Sequence, residues 1–365
     1  MKKQRVDLTN KTILVTGSPG FIGANLVLRL LKELSGGTVV SLDNMNDYYD
    51  PALKEYRLAL IEAAAKKSPV KHVFVKGSIG DKALVDSLFA EYKFDVVVNL
   101  AAQAGVRYSI DHPDVYIESN LIGFYNILEA CRHSYDGGAK GVEHLVYASS
   151  SSVYGGNKKV PFSVEDKVDN PVSLYAATKK SNELLAHSYS KLYNIPSTGL
   201  RFFTVYGPAG RPDMFYFSAT QKLAANKTIQ IFNYGNCKRD FTYVDDIVEG
   251  VYRVMQGAPE TAVGEDGLPV PPYAVYNIGG GQPENLLDYI STLQEELVRA
   301  GVLPADYDFE GHRELVGMQP GDVPITYADA SALEEDYGFT PTIGIREGLR
   351  KFAEWYAGYY GKAAE

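Results

Sequence analysis

The sequence predicts an α/β fold, in which a doubly wound parallel sheet is accompanied by a smaller C-terminal lobe. In the first half of the 365 residues, short β-branched runs alternate with stretches of helical spacing. Alternation of this kind indicates parallel strands whose sheet is covered by helices on both faces. A glycine-rich turn between the first run and the first helix supports the same prediction. After about Arg201 the alternation loosens into loops rich in glycine and proline.

Five runs are predicted as strands of the sheet, namely Thr12–Thr16 and residues 38–42, 72–75, 96–100 and 144–149. Helical spacing is found in Phe21–Glu33, Lys82–Tyr92 and residues 116–131, and beyond Arg201 in residues 246–255 and 285–300. We therefore expect residues 1–203, with returning segments near 240–278, to form mainly the sheet domain. Residues 204–365 would form mainly a lobe over the carboxyl ends of the strands, where open α/β sheets bind ligands.

Charge and cysteine content limit the classes of partner. The formal net charge of -9 disfavours a nucleic acid as partner, because a polyanion would be repelled on average. Cys131 and Cys237 are the only cysteines, too few for a disulfide framework and without the spacing of a metal site. Neither a secretory signal nor a membrane span is recognisable, so we expect a cytoplasmic protein with no metal and no membrane partner. A homodimer is the oligomer expected on general grounds.

The first strand runs into the turn TGSPGFIG, with glycines at Gly17, Gly20 and Gly23. The first glycine permits a tight turn, the second lets the backbone approach a pyrophosphate, and the third lets helix and strand pack closely. Asp43 ends the second strand about 20 residues later, where an acidic side chain meets the adenosine ribose and would repel a 2′-phosphate. These residues indicate a Rossmann-type site for NAD rather than NADP. The alternatives are a merely tight turn for the glycines and a helix cap or turn role for Asp43.

The short pattern Tyr-x-x-x-Lys occurs at Tyr154/Lys158, Tyr175/Lys179 and Tyr234/Lys238. Glycine and asparagine separate the members of the first and third pairs, so turns are favoured there. Only Tyr175 and Lys179 lie in a long helix-forming run, opened by Asn170-Pro171 or Ser173 as cap signals. Four-residue spacing places the phenol and the ammonium on one face of that helix.

A lysine beside a tyrosine, together with a positive nicotinamide ring, would lower the phenol pKa from about 10 toward neutrality. Tyr175 is therefore predicted to be a general base, with Lys179 as its neighbour. A serine cluster ends the predicted central strand in YASSSSVYG. Ser150 is predicted to hydrogen-bond the oxygen that Tyr175 deprotonates. The alternatives are an exposed helix pair or a core tyrosine for Tyr175, and a plain loop for the serine cluster.

Several blocks together resemble one family. TGSPGFIG, NLAAQAGVRYS, SSSSVYG, YAATK, LRFFTVYGP and RDFTYVDD are similar to blocks of the extended short-chain dehydrogenase/reductases, and within them of the nucleotide-sugar epimerases. DNPVSLYAATKKSNE, GPAGRPDM and MQPGDVPITYAD most resemble the UDP-glucuronate 4-epimerase subfamily. The likeness extends from near residue 12 to about residue 330.

The resemblance implies the site residues position by position. It implies a catalytic trio of Ser150, Tyr175 and Lys179. It implies NAD contacts from Gly17, Gly20, Phe21, Ile22, Gly23, Asp43, Asn44, Ser78, Ile79, Leu100, Ala101, Ala102, Tyr175 and Lys179. It implies UDP-sugar contacts from Ser150, Ser151, Thr204, Arg211, Phe232, Arg239 and Asp322, with Arg239 on the pyrophosphate.

Two positions depart from family patterns. Ser78, in GSIG, stands where an aspartate often meets the adenine, so that contact is in question. Gln319 stands where UDP-galactose epimerases carry an arginine near the nucleotide, which weakens a galactose-type function.

The function implied is NAD-dependent 4-epimerisation of a UDP-hexuronic acid through a transient 4-keto sugar, with NAD regenerated. Thr204 and Arg211 are predicted to receive the sugar carboxylate, although Arg211 could also be an ordinary surface arginine. Dehydratases and decarboxylases of this type carry acidic residues where this chain has Ser151 and Ser152, so elimination is disfavoured. Epimerisation of neutral or N-acetylated UDP-hexoses, decarboxylation of UDP-glucuronate and a non-catalytic NAD sensor are the alternatives.

Overall fold

The computed structural model describes residues 2–318 and 324–361. The strands in chain order are β1 (Lys3–Arg5), β2 (Thr12–Thr16), β3 (Thr38–Asp43), β4 (Lys71–Lys76), β5 (Val96–Asn99), β6 (His144–Ser150), β7 (Ser197–Phe202), β8 (Thr204–Tyr206), β9 (Ile229–Ile231), β10 (Lys238–Arg239), β11 (Phe241–Tyr243), β12 (Gly257–Pro259), β13 (Ala262–Val263), β14 (Pro269–Val270), β15 (Tyr273–Ile278), β16 (Glu284–Asn285), β17 (Arg313–Leu315) and β18 (Ile325–Thr326).

The α-helices of the same ranges are α1 (Phe21–Glu33), α2 (Pro51–Ala65), α3 (Lys82–Tyr92), α4 (Tyr108–Asp111), α5 (Pro113–Tyr116), α6 (Gly123–His133), α7 (Leu174–Tyr193), α8 (Phe215–Ala224), α9 (Val244–Met255), α10 (Leu286–Arg299), α11 (Ser331–Tyr337) and α12 (Ile345–Tyr360). A π-helix spans Ile117–Ile122, and 3-10 turns span Asp136–Gly138, Ser151–Tyr154 and Phe232–Gly235. Within the described ranges, no helix has both the length and the apolarity that a membrane crossing needs.

Seven parallel strands form the central sheet in the order β4-β3-β2-β5-β6-β7-β15. The chain proceeds from β2 outward to β4, and then returns to the other side of β2 with β5. The strand order therefore reverses between β2 and β5, and open α/β sheets bind ligands beyond the carboxyl ends of strands at such a point. The predicted doubly wound sheet is confirmed. Its last strand, β15, returns from the C-terminal half of the chain.

The predicted strands agree with the structure to within one residue at each end, and α1 and α3 have the predicted bounds. Residues 116–131 differ from the prediction, because a π-helix separates α5 from α6. Asn120 explains the difference physically. Its backbone carbonyl accepts a hydrogen bond from Asn182 at 2.6 Å, and its amide bonds Gln103 and Thr178 at 3.0 Å each. The bond from Asn182 thus pairs a backbone carbonyl of the π-helix from outside the helix, and such turns are often found beside functional sites.

Both faces of the sheet are covered by apolar side chains. On one face, β-strand residues such as Leu14 and Val97 pack with Phe124 and Leu128 of α6. On the other face, a single cluster extends from the sheet through α1 and α9 to Phe352 of α12. The C-terminal lobe and the sheet thus share one core. Burial gives no boundary near residue 203, so the predicted division of the chain stays a prediction.

Candidate active site

A cleft with a volume of about 1340 Å³ opens at the carboxyl ends of the sheet strands. Its lining comes from the loops after β2, β3, β5 and β6, and on the opposite side from the C-terminal lobe. All of the predicted site residues that the structure describes line this cleft. They are Gly17, Gly20, Phe21, Ile22, Gly23, Asp43, Asn44, Ser78, Ile79, Leu100, Ala101, Ala102, Ser150, Ser151, Tyr175, Lys179, Thr204, Arg211, Phe232 and Arg239. Asp322 and Gln319 lie outside the described residues.

The glycine turn packs against the loop that follows β5. Gly17 has a φ of +71°, and a Cβ built there would meet the backbone nitrogen of Ala101 at 2.8 Å. A Cβ at Gly23 would collide with the backbone of Gly17 and Ser18. Helix α1 begins directly after Gly20 without a side-chain cap, so its first N–H groups are open to the cleft. Only glycines fit these positions, and the resulting cradle fits a dinucleotide pyrophosphate.

Asp43 ends β3 at the same edge of the cleft. One carboxylate oxygen accepts a hydrogen bond from the backbone of Met45 at 2.7 Å, and the same oxygen lies 3.7 Å from the Lys54 ammonium. Burial lowers the pKa of Lys54, while the charge of Asp43 opposes that shift. Lys54 also donates to Asn46 at 2.7 Å. The predicted ribose-binding carboxylate therefore has a buried cationic neighbour, which sequence reasoning did not find.

Ser150 is the last residue of β6 and also the cap of the following 3-10 turn. Its hydroxyl oxygen accepts hydrogen bonds from the backbone N–H and from the hydroxyl of Ser152, at 3.2 and 2.9 Å. These bonds fix the position of the Ser150 hydroxyl in the cleft. Ser151 follows it along the lining.

Helix α7 supplies Tyr175 and Lys179. It begins with Ser173 as its cap, since the Ser173 hydroxyl accepts from the backbone of Ala176 at 3.1 Å. The Lys179 ammonium is 3% exposed and donates to the carbonyl oxygen of Ala148 in β6 at 2.9 Å. The predicted trio is thus gathered where α7 crosses the end of the central strand β6.

Burial shifts the pKa values of both members of the pair. It raises the pKa of Tyr175, and the groups that oppose this shift are a hydrogen bond with Ser150 and the charge of Arg211. Burial lowers the pKa of the Lys179 ammonium to about 8. The lowering of the phenol pKa by Lys179 together with a nicotinamide ring stays a prediction.

The other two Tyr-x-x-x-Lys matches lie outside α-helices, as their glycine and asparagine residues predict. Tyr154 is buried, donates to Asn277 at 2.7 Å and stacks on Phe162. Tyr234 lies in a 3-10 turn with a φ of +51° and is 59% exposed. Neither tyrosine lies on a helix with its lysine.

The opposite wall carries the predicted sugar and nucleotide contacts. Thr204 begins β8, and Phe232 lies under the guanidinium of Arg107 at 5.7 Å from the ring centre. Arg239 donates through Nη1 to the carbonyls of Lys238 and Pro324, at 3.0 and 3.2 Å. The structure brings these residues together with the trio in one cleft. Their roles remain predictions.

Arg211 lies beside the trio but is already paired. Its Nε and Nη2 donate to the two carboxylate oxygens of Asp213, at 3.0 and 2.5 Å. Tyr48, from the loop after β3, donates to the same carboxylate at 3.1 Å. Sequence reasoning missed Asp213 and Tyr48. The spacing Arg-x-Asp in GRPDM was the available signal for Asp213, and Tyr48 had none.

A buried ion pair lies beneath the trio and was also missed. Glu183 of α7 and Arg201 of β7 form two parallel hydrogen bonds of 2.8 and 2.9 Å, and both side chains are less than 5% exposed. Ser149, next to Ser150, donates to Glu183 at 2.7 Å. Burial raises the pKa of Glu183, but bonding to Arg201 outweighs it and the net shift is downward. This pair ties α7 to the strands that carry the site.

Among the described residues, no three histidine, cysteine, aspartate or glutamate side chains are grouped so that they could hold a metal ion. The carboxylates that line the described part of the cleft are Asp43, Asp111 and Asp213.

A glycine cradle after β2, together with a serine, a tyrosine and a lysine around the end of β6, defines an enzyme of the short-chain dehydrogenase/reductase class. The chain belongs to the NAD dependent epimerase/dehydratase family, whose model matches residues 13–279. The resemblance inferred from the sequence blocks is thereby confirmed, and the protein is an NAD-dependent epimerase.

Similar proteins cover nearly the whole chain. Protein CapI of Staphylococcus aureus is 46% identical over 96% of this chain and 99% of its own length. UDP-glucuronate 4-epimerase 4 of Arabidopsis thaliana is 44% identical over 96% of this chain and 76% of its own. The crystal structure of UDP-glucuronic acid 4-epimerase from Bacillus cereus, in complex with UDP-glucuronic acid and NAD, is similar with a TM-score of 0.78. Its identity is 30%, with 96% of this chain and 100% of that chain covered.

Proposed function

We propose that the protein epimerises UDP-glucuronate to UDP-galacturonate at carbon 4 of the sugar, with NAD as a recycled cofactor. The observation that carries this proposal is the meeting of Ser150, Tyr175 and Lys179 with Arg211 in one cleft. The trio supports the oxidation and reduction common to the family, and a guanidinium beside the general base supports an acidic sugar. Relatives with this activity support the same substrate.

The cradle of Gly17, Gly20 and Gly23 would hold the NAD pyrophosphate, and Asp43 would accept hydrogen bonds from the adenosine ribose. Bound NAD supplies a hydride acceptor and donor for carbon 4 of the sugar. Tyr175 would hold and return the proton of the 4-hydroxyl. Ser150, fixed by Ser152, would keep that oxygen in line with the phenol.

Lys179 would orient the cofactor side of the site, since its ammonium is held by the Ala148 carbonyl. Ser151 extends the hydroxyl wall around the sugar. Phe232 and Arg239 would contact the nucleotide, the first with its ring and the second with its charge. Asp322, outside the described residues, keeps its predicted role of substrate contact.

Thr204 and Arg211 would receive the sugar carboxylate. A charge-assisted hydrogen bond is worth about 1.5–3 kcal/mol, and a neutral sugar would leave that donor without its partner. This argument disfavours neutral or N-acetylated UDP-hexoses as the main substrates. Ser151 and Ser152 disfavour decarboxylation and dehydration, because no carboxyl group stands at their positions to move the extra proton.

Turnover of a small set of UDP-sugars tests the proposal. We expect kcat/KM for UDP-glucuronate to exceed that for UDP-glucose by at least about tenfold, from the value of one charge-assisted bond. Arg211→Ala should narrow this difference. Equal efficiency on both sugars in the unmodified enzyme would refute the uronate assignment and leave the epimerase chemistry intact.

The general base is tested by Tyr175→Phe, which should retain NAD binding and lose at least about a hundredfold in turnover. Tyr234→Phe is the matched control, because Tyr234 is exposed and its pattern is accidental. Tyr154→Phe is unsuitable as a control, since it removes buried hydrogen bonds with Asn277 and Arg201. If Tyr175→Phe turns over nearly as fast as the unmodified enzyme, Tyr175 is not the general base.

We also propose a homodimer whose interface lies on α6 and α7. Apolar side chains on and next to these helices are exposed, namely Ile122 at 48%, Tyr125 at 42% and Leu184 at 61%. A two-fold interface would cover such a face on both copies at once. A cytoplasmic location and the division of the chain at residue 203 are retained as proposals from composition and motif order.

A further inference from the structure

The guanidinium of Arg211 is held along one edge by the protein itself. Nε and Nη2 face the two oxygens of Asp213, in the parallel arrangement that fits a carboxylate best. Among the described residues, Nη1 makes no hydrogen bond, and Arg211 lines the cleft. An arginine proposed to bind a carboxylate of the substrate is therefore already bound to a carboxylate of the chain.

Asp213 is in turn fixed from across the cleft. Tyr48 lies in the loop that follows the ribose-binding strand, and its hydroxyl donates to Asp213 at 3.1 Å. The Tyr48 ring packs edge-on against Tyr108 at 4.8 Å. Gly105, with a φ of +103°, leaves room for it, since a Cβ there would lie 2.5 Å from the Tyr48 oxygen. Burial and the charge of Asp213 raise the pKa of Tyr48 to about 12, so the phenol remains a donor at working pH.

The pair is close enough to Tyr175 to act on it electrostatically. The charge of Arg211 lowers the Tyr175 pKa, and the charge of Asp213 raises it. Both groups therefore lie near Tyr175 in the cleft, where the proposed function places the sugar. Arg211 and Asp213 are about one quarter to one third exposed in their side chains, so a ligand can reach them.

We propose that Asp213, held by Tyr48, is a positioning residue that fixes Arg211 by its Nε–Nη2 edge and presents the Nη1 end to the sugar carboxylate. The inference rests on the proposed uronate substrate and makes Asp213 a specificity-determining residue for it. An unrestrained arginine side chain loses rotamer entropy when a ligand fixes it. Asp213 removes that cost before the substrate arrives, which favours the acidic sugar alone.

The test is a double-mutant cycle with Asp213→Asn and Arg211→Ala, measured as kcat and KM on UDP-glucuronate and UDP-glucose. Asparagine keeps the shape of Asp213 and one acceptor but loses the charge that holds the guanidinium. We expect Asp213→Asn to lower kcat/KM for UDP-glucuronate by about tenfold more than for UDP-glucose. In the Arg211→Ala background the same change should cost less than about threefold, because a residue that acts through another has no separate effect.

Two further variants complete the design. Tyr48→Phe removes one hydrogen bond to the Asp213 carboxylate and should reproduce part of the uronate-specific loss in kcat/KM, about threefold to tenfold. Asp86→Asn is the matched control, because Asp86 forms an exposed ion pair with Lys82 on α3. This variant should leave kcat/KM unchanged for both sugars. Thermal unfolding of each variant distinguishes misfolding from a change in the site. If Asp213→Asn does not fold, the kcat/KM values of Tyr48→Phe on the two sugars decide whether the proposal stands.

The outcomes separate the inference from the function. Equal losses on both sugars, or an undiminished loss in the Arg211→Ala background, would overturn the role of Asp213 while the substrate assignment stands. An unmodified enzyme that does not prefer UDP-glucuronate would overturn the proposed function, and this inference with it.

Discussion

At the scale of single residues, Lys179 shows that the site is built at a cost in stability. Its ammonium is 3% exposed and has one hydrogen bond, to the carbonyl of Ala148. Burial lowers its pKa to about 8 from the usual 10.5. The folded protein must therefore carry a poorly solvated charge at neutral pH. At one pKa unit per 1.36 kcal/mol, the cost is on the order of 3 kcal/mol.

Lys179→Met should stabilise the cofactor-free protein at pH 7 and abolish most turnover. We expect the free energy of unfolding to rise by about 1–3 kcal/mol. The loss of the hydrogen bond to Ala148 reduces this gain. Between about pH 8 and 10.5, Lys179 holds its proton more firmly in the unfolded chain than in the folded one. The free energy of unfolding of the native protein therefore increases with pH in that window. The gain of the variant should consequently shrink by pH 10. Urea unfolding of the native protein and of the variant at pH 7 and pH 10 measures the difference in stability. A variant that is less stable than the native protein at pH 7 would contradict the cost assigned to Lys179.

At the scale of elements, the site depends on how α7 is held against β6 and β7. Glu183 lies two turns beyond Tyr175 on α7. Its carboxylate accepts hydrogen bonds from Nε and Nη2 of Arg201 on β7. Ser149 of β6 donates to the same carboxylate. Arg201 also donates to Tyr154 at 3.0 Å, which reaches β15 through Asn277. One buried ion pair thus joins the catalytic helix to three neighbouring strands.

Glu183→Gln should weaken the fold far more than a surface change of the same type. It leaves the Arg201 guanidinium buried without a counter-charge, for which a loss of about 3–5 kcal/mol in unfolding free energy is expected. Glu354→Gln is the matched control, because its pair with Arg350 is exposed and should change stability by less than about 1 kcal/mol. Urea midpoints of the two variants decide the matter. Equal small shifts would mean that the buried pair does not hold α7.

At the scale of the whole molecule, one apolar core joins the sheet to the C-terminal lobe, so the protein should respond to acid as a unit. His144 is fully buried and begins β6. Its Nε2 accepts from the Thr198 hydroxyl of β7 at 2.8 Å, and its Nδ1 donates to the Met255 carbonyl at the end of α9 at 3.4 Å. Burial lowers the pKa of His144 to about 4. The ring is therefore neutral in the folded protein.

His144→Gln should reduce the loss of stability in acid. The pKa of His144 is lower in the folded protein than its unfolded value of about 6.5. The stability that the neutral His144 ring contributes is therefore fully present above pH 6.5 and is lost as the pH falls toward 4. The loss is on the order of 3 kcal/mol for this group. Urea unfolding at pH 7 and pH 4.5 should show a smaller decrease in the variant than in the native protein. The same decrease in both would exclude His144 as its source.

Periodicity and glycine placement were enough to predict the sheet and the cofactor cradle. Strand bounds were correct because β-branched runs and turns are local signals, and Gly17 and Asp43 stand at fixed distances along the chain. The helical context of Tyr175 distinguished it from Tyr154 and Tyr234 for the same reason. The family blocks then identified the class of enzyme.

The sequence by itself therefore determined the fold and predicted the glycine cradle and the helix that carries Tyr175, since each depends on residues close together in the chain. Only the tertiary structure decided which groups meet across long separations. It brought Tyr48 to the Arg211–Asp213 pair and Glu183 to Arg201, and it created the burial that shifts the pKa values of Tyr175 and Lys179. Hydrogen bonds and desolvation depend on distance and burial in space, and no local pattern encodes either.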